Sequence, residues 1–229
     1  MKTTGSFMPS SRHLARAMTQ IDHVRGDDAE PLRVLEVGPG TGPFTRRILP
    51  SLRPGDEFHI VEINRSFCRG LERRLLKRYR QQHPDVTIEL HCSAIEDAKL
   101  TGRFDRIVCG LPFNNFPAMQ VRAIFRQLLN LLSDGGELTY FEYMAVRPVR
   151  ASISNRQARQ NIRRIGALNK SLHRRHAGHT KIVLGNFPPA VAHCLTRYPD
   201  HDAAGADAEL FPGKHGSLHC NGSPSSGSA

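Results

Sequence analysis

Along most of the chain, short apolar blocks alternate with longer amphipathic stretches. Arg33-Val34-Leu35-Glu36-Val37 is a compact aliphatic run, and Glu57 to Glu62, Val86 to His91, Phe104 to Cys109 and Glu137 to Tyr143 repeat its character. Runs of this length, rich in branched and aromatic residues, read as strands. The intervening segments have helical spacing: Phe44 to Leu49, Asn64 to Gln82 with Phe67, Leu71 and Leu75 on its inner side, and Phe116 to Leu132. Ser133-Asp134-Gly135-Gly136 is a turn signal. Upstream, Pro9-Ser10-Ser11 looks like a helix start, followed by an apolar stripe of Leu14, Ala17, Met18 and Ile21. Downstream, Asn155 to His176 reads as a basic helix with Ile162, Ile165, Leu168 and Leu172 on one side. Thr180 to Leu184 and Ala190 to Thr196 then read as strands, antiparallel to each other across the turn Asn186-Phe187-Pro188-Pro189.

Strands alternating with helices predict βαβ units, which cross over right-handed and build a parallel sheet. The predicted fold is α/β: a Rossmann-like, seven-stranded, mostly parallel sheet with one antiparallel edge strand and helices on both faces. Residues 1–30 form a helical lead-in placed to cap the site, 31–198 the α/β domain, and 199–229 a tail rich in Gly, Ser, Asp, Ala and His that is expected to be disordered. The chain's 229 residues, 39% hydrophobic, suffice for one substantial core.

Charge changes the picture more than composition does. The net charge is +11, yet the segment from Tyr143 to Pro199 alone contains eleven Lys and Arg and no Asp or Glu, so the remainder is neutral. A single-sign block predicts a polyanionic partner, an anionic membrane surface or a nucleic acid. No run of eighteen apolar residues occurs, and Met1 to Arg12 has no signal-peptide core. Cys68, Cys92, Cys109, Cys194 and Cys220 show no paired spacing, which predicts free thiols, a reducing compartment and no zinc site. The histidines show no metal-ligand spacing; His173, His176 and His179 come nearest and are expected on the surface, so no metal is expected.

Chemistry concentrates after the first strand. Gly38-Pro39-Gly40-Thr41-Gly42 is a G-x-G-x-G turn between strand and helix, preceded by Glu36. Glycines let the backbone approach a ligand closely, and such sheets bind ligands beyond their strands' carboxyl ends. A dinucleotide loop would place its last glycine one residue later, and Glu36 would repel a pyrophosphate. It suits instead the cationic amino-acid end of S-adenosylmethionine, with the loop backbone, Thr41 included, against the ligand. Glu62, ending the second strand, is placed to accept both ribose hydroxyls. Ile63 beside it, Ser93 and Ala94 after the third strand, and Cys109 ending the fourth complete the expected nucleoside cradle, with Ser93 and the Ala94 N–H on the adenine edge.

These residues also carry a family resemblance. Gly38-Pro39-Gly40-Thr41-Gly42-Pro43-Phe44-Thr45 resembles the donor loop of bacterial phospholipid N-methyltransferases, within the class I S-adenosylmethionine-dependent superfamily. Thr4 to Arg12 resembles the segment before that family's first strand, Cys109-Gly110-Leu111-Pro112-Phe113-Asn114-Asn115-Phe116-Pro117 its motif after strand four, and Asn186-Phe187-Pro188-Pro189-Ala190 its late turn. The resemblance spans about residues 4 to 198. It implies methylation of the amine of phosphatidylethanolamine or of an ornithine lipid, by an enzyme at the cytoplasmic face of the membrane. The rRNA adenine dimethyltransferases are a wider cousin, but Gly110 stands where they carry the Asn that holds the target amine.

In that frame the backbone carbonyl of Gly110 or Leu111 would receive the amine, Pro112 would stiffen the loop, and Phe113 would wall the methyl channel or simply pack the core. Tyr140 and Tyr143 would bind the head group, or serve as ordinary strand aromatics. Ser10, Ser11 and Arg12 would contact a phosphodiester, or merely cap a helix. The alternatives are an RNA or protein methyltransferase that holds its substrate with the basic block, and a non-enzymatic basic module that binds a membrane or nucleic acid.

Overall fold

The computed structural model describes residues 11–19, 30–144, 156–176 and 178–198. Strand β1 (Arg33–Val37) is buried at nearly every position because it lies inside the sheet. Its neighbours are β2 (Glu57–Val61) and β4 (Phe104–Cys109), both parallel to it. A strand covered on both faces loses the polar alternation of a half-exposed one, which explains its continuous apolar character. β3 (Thr87–His91) extends the sheet beyond β2, and β5 (Leu132–Tyr143) extends it beyond β4. β7 (Ala190–Thr196) runs antiparallel to β5, and β6 (Gly178–Val183) pairs antiparallel with β7, giving the order β3-β2-β1-β4-β5-β7-β6. The seven-stranded, mostly parallel fold is as expected. Its antiparallel strand lies one place in from the edge, because β6 flanks it on the outside.

The helices are α1 (Arg12–Met18), α2 (Thr45–Ile48), α3 (Arg65–Leu71), α4 (Lys77–Gln82), α5 (Ala118–Asn130) and α6 (Arg156–Arg175); a π turn at Glu72–Leu76 joins α3 to α4. One face of the sheet is covered by α1 and the α2–α4 region, with Leu14, Met18, Ile48 and Leu71 packed on Val34, Phe58 and Phe141. The other is covered by α5 and α6, with Val121, Phe125, Leu128, Ile165, Leu168 and Leu172 packed on Leu35, Ile107 and Leu138. On α6 the outward positions Arg163, Arg164, Lys170 and Arg174 are exposed. Pro117 gives the start of α5 no capping side chain, and Asn161 of α6 supplies one: its Oδ1 accepts the Ala118 N–H at 2.6 Å. Such a bond satisfies one of the donors orphaned at a helix start.

Two local expectations are refined. The turn at 133–136 lies inside β5 as an irregularity, since pairing shifts from Phe104↔Leu132 to Arg106↔Glu137 and Gly135 adopts φ 77°. The expected single helix from Asn64 is helical throughout but passes through the π turn at Glu72–Leu76, and Asn64 caps it by accepting the Ser66 N–H at 2.9 Å.

Two others are corrected. Cys68 in α3 and Cys92 after β3 form a disulfide, their Cα atoms 6.3 Å apart, so these two are not free thiols. A separation of 24 residues hides the pair in the sequence; parallel pairing of β2 with β3 brings both to one end of the sheet. His176 is not a surface side chain, since it is buried, and the half-buried His173 places its Nε2 2.9 Å from His193 Nδ1. The predicted tail, the segment 1–10 and Cys220 lie outside the described residues. Among the described residues, no helix is long and apolar enough to cross a membrane.

Candidate active site

The carboxyl ends of β1, β2 and β4 meet at the glycine turn. Gly38 donates its N–H to the Val61 carbonyl at 2.9 Å, and Gly110 donates to the Val37 carbonyl at 2.7 Å, so the ends of three strands are laced together by backbone. Gly38 has φ 72°, which disfavours a side chain, and a Cβ there would lie 2.6 Å from Leu111 Cδ2. At Gly110 the limit is contact: a Cβ would lie 2.6 Å from the Gly38 carbonyl oxygen. Gly40 differs, since a Cβ there meets nothing within 4 Å. The turn therefore closes against the sheet through Gly38 and opens away from it at Gly40.

Two carboxylates flank this turn. Glu36 is wholly buried; its Oε2 accepts the Thr45 hydroxyl at 2.7 Å, and its Oε1, also buried, has no partner. Burial raises its pKa from 4.5 to about 8, the hydrogen bonds from Thr45 oppose the rise, and the nearby charge of Glu62 adds a smaller push. Glu62 is almost buried too, and both its oxygens are oriented by backbone: Oε2 accepts the Gly40 N–H at 3.0 Å, and Oε1 accepts the Asn64 N–H at 2.8 Å. An ionised carboxylate has about four acceptor sites, so each oxygen keeps capacity for a ribose hydroxyl. The two acids thus lie on one side of the sheet, around one loop.

The remaining cradle residues fit a nucleoside. The Ser93 hydroxyl is buried without a partner, Ala94 is half-buried beside it, and Ile63 exposes its apolar side chain next to Glu62. Thr41 is exposed at the turn's outer edge. Cys109 is buried and its thiol is pushed up to about 12, so it stays neutral as a wall. Unsatisfied buried groups are costly. Here the orphaned Glu36 Oε1 and Ser93 Oγ leave an acceptor and a hydroxyl free for a ligand's polar groups. The donor set suits S-adenosylmethionine.

The residues expected to handle the acceptor separate into two groups. Gly110, Leu111 and Pro112 are half-buried at the rim, and the Leu111 carbonyl already accepts the Phe113 N–H at 3.0 Å. Phe113 packs the core, its ring 4.6 Å from that of Phe125 and 6.1 Å from Tyr140. Tyr140 is fully buried, stacked on His193 at 4.8 Å, while Tyr143 is half-buried at the end of β5 against Phe141. Ser11 caps α1 by accepting the Leu14 N–H at 3.1 Å, and Arg12 is exposed beside it. Ser10 lies outside the described residues.

Sequence reasoning passed over two features here. Thr45 holds Glu36, and Asn186 accepts the Ser11 N–H at 2.8 Å, tying α1 to the β6–β7 turn. That turn lies at the site's end of the sheet, because Ala190 pairs with both Tyr143 and Val183. Its tip is apolar and exposed: Leu184 is 74% and Phe187 76% accessible, with Ile182 at 61%.

Residues 35–138 match the methyltransferase domain family. The chain is 31% identical over 136 residues to an ornithine lipid N-methyltransferase of Singulisphaera acidiphila, covering 57% of this chain and 66% of that protein. It is 34% identical over 85 residues to a ribosomal RNA small subunit methyltransferase A of a Nostoc species, covering 36% of this chain and 30% of that protein. The chain thus spans just under two thirds of the first relative and about a third of the second. Among solved structures, the Streptomyces achromogenes O-methyltransferase TomG in complex with SAM superposes with TM-score 0.53 at 15% identity, over 81% of this chain and 78% of that one. The Synechocystis magnesium protoporphyrin IX methyltransferase with bound SAM gives TM-score 0.50 at 14% identity, over 73% and 70%. Residues 35–138 thus match a methyltransferase domain, and the chain shares its fold with solved methyltransferases that hold S-adenosylmethionine.

Proposed function

We propose that this protein transfers methyl groups from S-adenosylmethionine to the head-group amine of a membrane lipid, of the phosphatidylethanolamine or ornithine-lipid class. The observation that carries the reading is the apolar tip of the β6–β7 turn, with Leu184 and Phe187 exposed at the same end of the sheet as the glycine turn. Apolar side chains in that position would seat in the head-group region and bring the site mouth to the lipid. The exposed cations of α6, Arg163, Arg164, Lys170 and Arg174, would add attraction to an anionic surface, at about 1 kcal/mol per well-placed charge. The similarity to an ornithine lipid N-methyltransferase supports the same substrate class.

The domain reading follows: the segment through α1 caps the site, and residues 31–198 carry the chemistry. S-adenosylmethionine, when bound, supplies an electrophilic methyl on sulfur. Glu36 Oε1 and the glycine turn would bind its amino-acid end, Glu62 its ribose, and Ser93 and Ala94 its adenine. The Gly110 carbonyl, at the rim of the loop that closes on Gly38, would accept an N–H of the substrate amine and aim its lone pair. Alignment of this kind can supply roughly 7–11 kcal/mol in ideal cases. A lipid amine has an ordinary pKa of about 10 and must lose its proton to attack; desolvation at the rim lowers that pKa, so release to water suffices.

The second reading, an RNA adenine methyltransferase, is favoured by the similarity to ribosomal RNA methyltransferases. Against it stands Gly110, where the side chain that would hold an adenine amine meets the Gly38 carbonyl. Methyl-labelled S-adenosylmethionine incubated with the full chain, vesicles containing phosphatidylethanolamine or ornithine lipid with an anionic lipid, and total RNA separates the readings. Label in the lipid fraction is expected; label only in RNA, or in neither, would overturn the proposal.

A further inference from the structure

On the α5 face of the sheet, at the β2–β3 edge, four side chains converge that the methyl-transfer site does not use. Parallel pairing sets His59 opposite Glu89 and Val61 opposite His91, so His59, Glu89 and His91 project from the same face. Three atoms form a nearly equilateral triangle. His59 Nδ1 lies 3.4 Å from His91 Nε2, His59 Nδ1 lies 3.5 Å from Glu89 Oε2, and His91 Nε2 lies 3.5 Å from Glu89 Oε2.

These separations are long for hydrogen bonds, whose N···O distances centre near 2.9–3.0 Å. They suit an ion sitting between the three atoms. A tetrahedral centre with bonds of about 2.0–2.1 Å places its ligands roughly 3.3–3.4 Å apart. We infer that His59 Nδ1, His91 Nε2 and Glu89 Oε2 bind a divalent transition-metal ion of the zinc type, with the fourth position open to water.

The surroundings are those of a ligand set. His59 is buried, and its other ring nitrogen, Nε2, lies 3.3 Å from Glu57 Oε2. A carboxylate on the far nitrogen fixes the tautomer that turns the Nδ1 lone pair inward. Glu57 is held in turn by Arg33, whose Nε donates to the same Oε2 at 2.8 Å. Packing of the His59 ring edge-on to Phe104, at 5.2 Å, limits its rotation. Glu89 is exposed and His91 partly so, which provides the entry path. Two imidazoles and one carboxylate select a borderline ion over calcium or magnesium, which prefer all-oxygen sets. The ion would brace β2 to β3, the strands that lead into Glu62 and Ser93.

The test uses tag-free full-length protein, stripped by a chelator and titrated with Zn(II) against a chromophoric competitor, and separately with Co(II) read by visible absorption. Wild type is expected to take up Zn(II) at this site and to give the intense Co(II) bands of a four-coordinate N/O set. His91→Gln and Glu89→Gln, both at accessible positions, are expected to weaken Zn(II) binding by about a hundredfold and abolish those bands. Glu57→Gln should weaken binding about 10- to 100-fold through the lost orientation of His59. His179→Gln, an exposed histidine on β6, should change nothing. The histidines outside the cluster are common to wild type and the three cluster variants, so the differences among these report this cluster alone. The inference is overturned if folded wild type shows no Co(II) bands, or if His91→Gln and Glu89→Gln bind as wild type does. Neither readout depends on methyl transfer.

Discussion

Replacing Glu36 with glutamine isolates the electrostatic cost of the donor site. With no donor added, burial holds this carboxyl at a pKa of about 8 rather than 4.5. Between those values the folded chain binds more protons than the unfolded chain, so its stability falls as pH rises. The slope is about 1.4 kcal/mol per pH unit. From pH 4.5 to pH 7 this group therefore removes roughly 3 kcal/mol, and its contribution levels off above pH 8. Glutamine keeps the shape and the contact with Thr45 but cannot ionise. Glu36→Gln should match wild type at pH 5 and exceed it by about 3 kcal/mol at pH 7, a Tm difference of about 6–12 °C for a chain of this size.

Donor binding should move the opposite way. At pH 7 only about one carboxyl in ten is ionised, so a cationic ligand that needs the anion should bind about two- to threefold more tightly at pH 8, and weaken again above it as the donor's own α-amine, of pKa about 8, loses its proton. Titration calorimetry in two buffers of different ionisation enthalpy should show close to one proton released per donor at pH 7. The variant should release none, lose the rise toward pH 8, and bind about 10- to 100-fold more weakly for want of a charge-assisted bond. Parallel Tm-against-pH curves for the two proteins, or an unchanged donor affinity in Glu36→Gln, would refute the assignment.

Gly110→Ala forces a methyl to within 2.6 Å of a backbone oxygen, so chemical denaturation should show a loss of about 1–3 kcal/mol and calorimetry a weakened donor site; wild-type values for both would remove the steric account of this glycine. Ser93→Ala should leave the donor-free protein unchanged or up to about 1 kcal/mol more stable, since it deletes an unsatisfied hydroxyl, yet weaken donor binding about fivefold; equal donor affinity would take Ser93 off the adenine edge. Phe187→Ser should reduce binding to anionic vesicles in sedimentation about 10- to 100-fold, by the loss of roughly 1.5–3 kcal/mol of apolar transfer, with no change in donor affinity; unchanged sedimentation would count against the tip as the lipid seat.

Much of this was legible in the sequence because it is local. Strands β1, β4 and β7 have the boundaries their apolar runs predicted, and the glycine turn with its flanking acids needs only adjacency to β1 and β2. What the sequence hid depends on register. His59, Glu89 and His91 carry no ligand spacing, since the parallel pairing of β2 with β3 is what makes them neighbours. The Cys68–Cys92 pair was missed for the same reason. Phe113 and Tyr140 were ambiguous because an aromatic at a strand end can face a channel or a core, and only the placement of Phe125 on α5 decides for packing. The Ser11–Asn186 bond, across 175 residues, joins two motifs that the chain itself does not relate.

That bond also bears on the choice between lipid and RNA. It fixes α1 to the β6–β7 turn, and α1 is packed through Leu14 and Met18 into the same core as Val183 and Ala190. The exposed tip is therefore continuous with the body that carries the glycine turn. An RNA partner would use the basic face of α6 and could stack a base on Phe187, so neither feature discriminates alone. Ile182 and Leu184 do: they have no ring to stack and no polar group to offer, and each remains more than 60% accessible. Leaving such side chains in water is unfavourable in proportion to their area, and burial in acyl chains recovers it. A polyanion would neutralise the cations and leave that apolar area wet, whereas acyl chains would bury it.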